Sequence, residues 1–267
     1  MQDQSRMANN TGPAQLEPGR ASLRVGLFVT CLVDMMRPQI GFATLNLLEA
    51  AGCEVVVPQS QTCCGQPAFN AGARHAVRAL AEQFLCDFEG FEYVVLPSGS
   101  CTGMIRVHYA EVFAKEPALL ARWQLLAPRI FELTTFLQRF APDMALPLTR
   151  DVGVPQHITY HDSCSGLREL GVAAQPRALL GKIPGLQLTE MPDCRTCCGF
   201  GGTFAIKFGA ISAAIADEKC ASIQSSGAQA VVLGDLGCML HIEGRLRRNG
   251  DMHTQVLHVA QVLAGEH

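Results

Sequence analysis

The pattern of apolar and polar positions alternates along the chain between two kinds of segment. Short apolar runs rich in β-branched residues predict buried strands, and longer stretches with apolar residues at helical spacing predict helices. The predicted strands cover 23–30, 54–57, 93–96, 157–160, 186–190 and 230–233. The predicted helices cover 38–51, 71–88, 103–113, 123–140, 176–182, 203–224 and 254–264. Strands that alternate with helices are typical of parallel sheets, so the predicted fold class is α/β.

Two segments without this pattern divide the chain. Residues 1–22 are rich in Gln, Asn, Gly and Pro, which predicts a flexible leader. Residues 141–156 contain several prolines and predict a linker. We therefore expect two tandem related half-domains, 23–140 and 157–267, each a small parallel sheet flanked by helices.

The cysteines reveal an internal repeat. The chain has 12 cysteines in 267 residues, and a Cys-Cys-Gly tripeptide occurs twice. The cysteines of the second half repeat those of the first at offsets of 133 to 137 residues: Cys31 with Cys164, Cys63 with Cys197, Cys64 with Cys198, and Cys101 with Cys238. Most of these thiols directly follow a predicted strand, and the carboxyl ends of parallel strands meet at one edge of a sheet. Each set of four is therefore expected to converge there.

Charge and hydropathy limit the classes of function. The net charge is −3 and the isoelectric point about 6.2, which argues against a broad nucleic-acid surface. No apolar run approaches the roughly 18 residues that span a bilayer, and the first residues lack the apolar core of a secretory signal. We therefore expect a cytoplasmic protein with reduced thiols. Cysteines in that compartment indicate metal or redox chemistry, and thiolates select zinc, copper(I) or iron–sulfur clusters.

Cysteine spacing and flanking residues together resemble a known family. The order Cys, Cys-Cys-Gly, Cys resembles the cysteine-rich CCG domain, which occurs twice in the heterodisulfide reductase B subunit and in the glycolate oxidase iron–sulfur subunit. The closer resemblance is to the short two-domain branch typified by lactate utilization protein A. It rests on 32–34 (LVD), 58–72 (PQSQTCCGQPAFNAG), 97–101 (PSGSC), 161–170 (HDSCSGLREL) and 197–203 (CCGFGGT), and it extends over 24–265.

This resemblance implies cofactors, partners and an activity. The expected cofactors are up to two 4Fe-4S clusters, which the eight repeated cysteines would hold: Cys31, Cys63, Cys64, Cys101, Cys164, Cys197, Cys198 and Cys238. The implied role is an electron-transfer subunit of a complex that oxidises L-lactate to pyruvate. Its implied partners are a ferredoxin-type iron–sulfur protein and a third small subunit, with no nucleic acid and no transmembrane segment. No residue is assigned to catalysis, and the chain alone is not expected to be catalytic.

One departure from the family pattern leaves the ligand set open. The fuller motif ends in Cys-x-x-Cys, but Ser98 and Asp235 replace the first cysteine of each pair. Their oxygens could bind iron, each site could hold a simpler cluster, or one site could be empty or hold zinc. Cys194, in Cys194-x-x-Cys197, is a further candidate ligand. The alternatives for function are a heterodisulfide-reductase-like or glycolate-oxidase-like redox subunit, and a zinc-binding interaction module without redox activity.

Residues near the repeated cysteines receive separate interpretations. Cys53, Cys86 and Cys220 have no counterpart at the repeat offset, so we expect them to pack in the core. His161 and Asp162 precede Cys164 and could tune a cluster through hydrogen bonds around its ligands, although a strand-end histidine that only satisfies ordinary hydrogen bonds is the alternative.

Overall fold

The structure is a computed structural model, and it describes residues 22–146 and 155–266. Most of the predicted leader and linker, 1–21 and 147–154, lies outside these residues. Eight strands are formed: β1 Leu23–Leu27, β2 Cys53–Val56, β3 Tyr93–Leu96, β4 Ile130–Glu132, β5 His157–His161, β6 Gln187–Leu188, β7 Ala230–Leu233 and β8 Gln255–His258.

Helices cover the sheets in each half. The first half contains α1 Cys31–Met36, α2 Pro38–Ala50, α3 Gln66–Asn70, α4 Arg74–Phe88, α5 Gly99–Gly103, α6 Tyr109–Val112, α7 Pro117–Leu126 and α8 Leu133–Phe140. A π-helical turn joins α5 to α6, and a 3-10 turn precedes β4. The second half contains α9 Cys164–Leu170, α10 Ala174–Leu180, α11 Thr203–Lys207, α12 Gly209–Ser225, α13 Leu236–Arg248 and α14 Val259–Ala264.

The strands form two four-stranded parallel sheets with the same topology. Their orders are β2-β1-β3-β4 and β6-β5-β7-β8, so the first strand of each half lies inside its sheet and the last lies at an edge. In the first sheet Val25 is level with Val55 and Tyr93, and in the second Thr159 is level with Val231. This arrangement confirms the α/β class and the tandem repeat predicted from the sequence.

The halves pack with approximate two-fold symmetry. The helix α2 lies against α14, and α10 lies against α8, so each half contributes one helix to each pair. Closer to the strand tips, α5 contacts α9 and α1 contacts α13. One buried apolar cluster extends through both halves, while a second, rich in phenylalanine, covers the other face of the first sheet. Each fully buried aliphatic side chain in these cores contributes about 1.5–3 kcal/mol relative to exposure.

Several element assignments made from the sequence were wrong. The predicted helix 123–140 contains the edge strand β4, and the predicted terminal helix 254–264 begins with the edge strand β8. Both strands are short, and the apolar residues around them have helical spacing. The sequence pattern therefore predicted helix where these strands form. The predicted helix 203–224 is broken at Phe208 into α11 and α12. Helices α9 and α13, each beginning at or near a repeated cysteine, were not predicted.

Candidate metal centres

The first quartet consists of Cys31, Cys63, Cys64 and Cys101. Cys31 opens α1 just after β1, the tandem pair lies in the loop after β2, and Cys101 lies in α5 just after β3. The Sγ atoms of Cys31 and Cys63 are 3.5 Å apart. Sulfur contacts continue from Cys63 to Cys64 and from Cys64 to Cys101. The four thiols therefore meet at the carboxyl edge of the first sheet.

The second quartet, Cys164, Cys197, Cys198 and Cys238, has the same arrangement. Cys164 opens α9, the tandem pair lies in the loop before α11, and Cys238 lies in the first turn of α13. Sulfur contacts join Cys164 to Cys197, Cys197 to Cys198, and Cys198 to Cys238. All described cysteines carry free thiols rather than disulfides. Spacing in the sequence thus predicted both convergence points.

The glycine after each cysteine pair is required by the local backbone. Gly65 and Gly199 have φ angles of 82° and 89°, which side-chain-bearing residues rarely adopt. A Cβ atom would meet Val77 Cγ2 at 2.8 Å in the first loop and the carbonyl oxygen of Ser212 at 2.6 Å in the second. The glycines therefore let each loop pack against α4 or α12. Their amide groups also donate to the sulfurs of Cys63 and Cys197, at 3.4 and 3.3 Å.

The contacts within each quartet favour one thiolate. Hydrogen bonds from Cys31 and then Cys64 lower the pKa of Cys63 to about 3. Hydrogen bonds from Cys164 and then Cys198 lower the pKa of Cys197 to about 2. Because each neighbour donates its proton to that thiolate, the pKa values of Cys31 and Cys164 rise above the ordinary thiol range. Such gathered soft donors suit a thiolate-bound metal or iron–sulfur cluster.

Both quartets open onto one cleft between the halves. A cavity of about 280 Å³ adjoins the first quartet and one of about 310 Å³ adjoins the second. The two cavities share wall residues from both halves: Gln66, Asn70, Ser100, Phe200, Gly202 and Asp235. Each quartet therefore faces residues of the opposite half, an arrangement that the repeat alone did not predict.

Ser98 and Asp235 lie where the halves meet, and their oxygens already have hydrogen-bond partners. Asp235 accepts hydrogen bonds from the amides of Ser100 at 2.8 Å and Gly237 at 3.2 Å. The Ser98 hydroxyl donates to Asp235 at 3.2 Å and accepts from the amide of Cys101 at 3.3 Å. These side chains therefore cap α5 and α13 and join the halves. Metal ligation by either one remains a prediction.

The side chains behind the two quartets differ. In the first half Phe28 and Phe84 are buried, and their ring centroids are 5.5 Å apart. The repeat offset places His161 opposite Phe28, and Lys219 occupies on α12 the place of Phe84 on α4. That alignment of α4 with α12 follows from their buried positions, which match along both helices at an offset of 135 residues. An aromatic pair therefore supports one quartet and a basic pair the other.

His161 lies directly beside the second quartet. It is 0% exposed, and a ring nitrogen lies within 4.8 Å of the Cys198 and Cys238 sulfurs. Burial, and secondarily the charge of Lys219, lower the pKa of His161 to about 3, so the imidazole is neutral. Asp162 instead forms a bidentate ion pair with Arg177, at 2.7 and 3.0 Å. Of the two residues predicted to act near a cluster, only His161 faces the thiols.

The remaining cysteines are separate from the quartets' sulfur contacts. Cys53 and Cys220 are buried, which confirms their predicted core packing. The same prediction was wrong for Cys86, which is exposed on the outer face of α4 near Arg122. Cys194 is half-buried and lies near Glu190, and burial raises its pKa. Its predicted ligand role is not tested by these contacts.

Comparison with known proteins identifies the family. The cysteine-rich CCG domain family matches residues 25–106 and 158–243, one copy in each half. The chain belongs to this family. Each matched copy contains one complete quartet, so the repeat seen in the cysteines and the repeat seen in the sheets are the same.

Named relatives cover nearly the whole chain. Lactate utilization protein A of Bacillus subtilis strain 168 is 43% identical over 243 residues, which is 90% of this chain and 99% of that protein. Lactate utilization protein A 2 of Bacillus cereus strain AH820 is 40% identical over 244 residues, 91% of this chain and 98% of that protein. A crystal structure of a hypothetical protein from Helicobacter pylori has a similar fold, with a TM-score of 0.64 at 13% identity, covering 96% of this chain and 51% of that one.

A helix must be long and apolar to cross a bilayer. None of the helices in residues 22–146 and 155–266 combines the length and the hydropathy needed to cross a membrane.

Proposed function

We propose that this chain is the iron–sulfur electron-transfer subunit of a complex that oxidises L-lactate to pyruvate. The observation that supports it most is the convergence of two thiol quartets on one cleft. The chain's similarity to proteins named for lactate utilization points to the substrate. Two redox sites facing one space would let electrons pass between them within a single chain.

The chain's residues would hold and tune the clusters. The eight repeated cysteines would supply the thiolates, and bound clusters would supply one-electron transfer. The amides of Gly65 and Gly199 donate toward sulfur in the present contacts. Hydrogen bonds to sulfur and the degree of solvent exposure are among the factors that set cluster potentials. Burial on one side of each quartet would therefore affect the reduction potential of a bound cluster. The side that faces the cleft would give an electron-transfer partner access to that cluster.

An apolar rim beside the first quartet supports the proposal that a partner protein binds there. Leu32 and Ile206 line its cavity and are 37% and 85% exposed. Phe208, just beyond α11, is 54% exposed. We propose that the ferredoxin-type partner covers this rim, with the third small subunit completing the complex. A cytoplasmic location, where thiols stay reduced, belongs to the same proposal.

A second candidate function is a zinc-binding module without redox activity. The compact set of His161, Cys198 and Cys238 favours it, because nitrogen and sulfur ligands suit a structural zinc ion. The first quartet contains only sulfur donors. Zinc in the second site alone would therefore leave room for a cluster in the first, and only zinc in both sites would make the chain a module without redox activity.

Anaerobic purification tests the cofactor part of the proposal. We expect a brown protein in which iron and acid-labile sulfide are present in equal amounts. The Cys63→Ala and Cys197→Ala variants should each lose part of both, whereas Cys86→Ala, an exposed cysteine, should lose neither. A colourless protein with stoichiometric zinc and no iron would reject the redox function.

Reconstitution tests the substrate. We expect L-lactate to bleach the visible absorption of the chain only when the ferredoxin-type partner and the third subunit are present. D-lactate and glycolate serve as controls for stereochemistry and for the related acid. Bleaching by glycolate alone would move the assignment to a glycolate-oxidising complex while retaining the electron-transfer function.

A further inference from the structure

We infer that His161 is a nitrogen ligand of the metal centre held by the second quartet. The first centre would then be bound by sulfur alone, and the second by sulfur and one imidazole. This inference deepens the proposed function, since it assigns a ligand to one of its two centres. It differs from the sequence-based interpretation, in which His161 only tunes a cluster through hydrogen bonds around its ligands.

The arrangement of donor atoms carries the inference. A ring nitrogen of His161 and the sulfurs of Cys198 and Cys238 all lie within 4.8 Å of one another. Across residues 22–146 and 155–266, no other set of three or more histidine, cysteine or carboxylate ligand atoms is this compact. All three residues are buried, so solvent is not their alternative partner. A single ion or one iron of a cluster could contact all three.

Within 22–146 and 155–266, the His161 imidazole also lacks a hydrogen-bond partner. Both ring nitrogens are buried, and neither has a hydrogen-bond partner among the described residues. A buried polar group left without a partner is costly and therefore uncommon. Neighbouring polar groups are engaged elsewhere, because Lys219 donates to the carbonyl oxygen of Asp193 at 2.6 Å and Asp162 binds Arg177. A bond to metal would give one of the two nitrogens its partner.

The first half provides an internal comparison. The residue equivalent to His161 is Phe28, which has no donor atom and packs against Phe84 and Phe88. The same backbone position therefore accepts a six-membered apolar ring without loss of the quartet. His161→Phe is therefore a conservative substitution, because it introduces the residue that the first half has at the equivalent position. A histidine at this position is not needed to build the sulfur arrangement.

Nitrogen ligation has a known chemical consequence. Replacing cysteine by histidine at an iron of an iron–sulfur cluster raises its reduction potential, since imidazole is neutral and thiolate is anionic. A cysteine–histidine set also suits zinc. The assignment of His161 can therefore be tested whether the second centre holds iron or zinc.

Histidine labelling combined with pulsed EPR provides the test. The full-length protein is purified anaerobically, once with natural histidine and once with 15N-histidine, and poised so that its centres are paramagnetic. We expect a 14N hyperfine coupling that changes to a 15N pattern on labelling. It should disappear in His161→Phe while iron content falls by no more than half. It should persist in Cys31→Ala, the control in the first quartet.

Each outcome decides either the ligand assignment or the proposed function. Iron without histidine-nitrogen coupling, or coupling that persists in His161→Phe, would overturn the ligand assignment and leave the redox function intact. Coupling that disappears in Cys31→Ala but persists in His161→Phe would place the nitrogen at the first centre and also overturn it. If the protein holds zinc instead, the redox function fails. Imidazole scattering in the zinc X-ray absorption spectrum that is lost in His161→Phe would still support the ligand.

Discussion

Each half of the chain gathers four equivalent cysteine sulfurs, but the side chains buried behind the two sets differ. In both, cysteines follow the first, second and third strands and meet at the sheet edge. Behind the first quartet lie the rings of Phe28 and Phe84, and behind the second lie His161 and Lys219. The backbone repeat therefore preserves the thiol geometry while the buried side chains differ. Since local charge affects cluster potentials, this difference would separate the two centres in potential.

A second pair of equivalent residues differs in the same way. Glu132 ends β4 and caps α8 by accepting from the amide of Thr135 at 3.1 Å. His258 ends β8 and caps α14 by accepting from the amide of Ala260 at 3.2 Å. Both are buried, yet one is an acid and the other a base. Both halves thus have a hydrogen-bond acceptor at this position, but the ionisable group that supplies it differs.

The largest expected effect is the loss of one centre without the other. In Cys197→Ala, total iron should fall to about half, because under the proposed function each cluster would be held by ligands of its own half. Cys63→Ala should do the same for the first centre, and their EPR spectra should be complementary. Iron and sulfide analysis with EPR measures this. Complete loss of iron in both variants would mean that the centres do not form independently.

The junction between the halves should be more sensitive on the second side. Asp235→Ala removes an acceptor from three amides and one hydroxyl, and we expect it to lower the free energy of unfolding by about 2–4 kcal/mol. Ser98→Ala, its counterpart, should cost about 1 kcal/mol, typical of one helix cap. Urea unfolding of the anaerobic proteins measures both.

Metal content in these two variants tests the other role of the same side chains. Unchanged iron is the expected result, because the oxygens serve as caps. Loss of about one cluster in either variant would instead show that its oxygen is a ligand.

The two capping residues should give opposite dependences of stability on pH. Burial lowers the pKa of His258 to about 4, against about 6.5 in an unfolded chain. The unfolded state therefore binds more protons between these values, and stability is lost as pH falls from about 6.5 to 4, by up to about 3 kcal/mol. His258→Asn keeps an acceptor oxygen and should remove this loss.

Glu132 provides the matched control for that measurement. Burial raises its pKa, so its contribution to stability declines as pH rises through the carboxyl range. Glu132→Gln should flatten the pH profile in that direction, while His258→Asn flattens it in the other. Urea unfolding across pH 4 to 8 gives both profiles. If His258→Asn retains the wild-type acid sensitivity, the loss arises elsewhere, for example at His161.

The smallest expected effect is a shift in potential at one centre. Lys219 is 1% exposed, and its charge interacts with the thiols of Cys197 and Cys198. A nearby cation stabilises the more negative, reduced state, so Lys219→Met should lower the potential of the second centre by roughly 60 mV, equivalent to about 1.4 kcal/mol for one electron. Phe84→Met is the matched change in the first half and should not lower its potential. Redox titration followed by EPR distinguishes the centres, and equal shifts in both variants would contradict the comparison.

The sequence by itself determined the parts of the protein that depend on local order. It determined the repeat, the alternation of strands and helices, and the positions of eight cysteines, most of them at strand ends. Because parallel strands align their carboxyl ends, those positions were enough to predict two quartets. The sequence also showed that the repeat position held by Phe28 in the first half is held by His161 in the second. The meaning of this difference was not visible, because sequence spacing does not show which neighbours leave an imidazole unpaired.

Only the tertiary structure decided how the halves meet. The contact between Ser98 and Asp235 and the shared cleft depend on the docking of segments more than 130 residues apart. The edge strands β4 and β8 were also decided there, because a neighbouring strand supplies their hydrogen bonds while their own residues also suit a helix. Long-range contacts of this kind have no local pattern, since their energy arises only after both partners have folded.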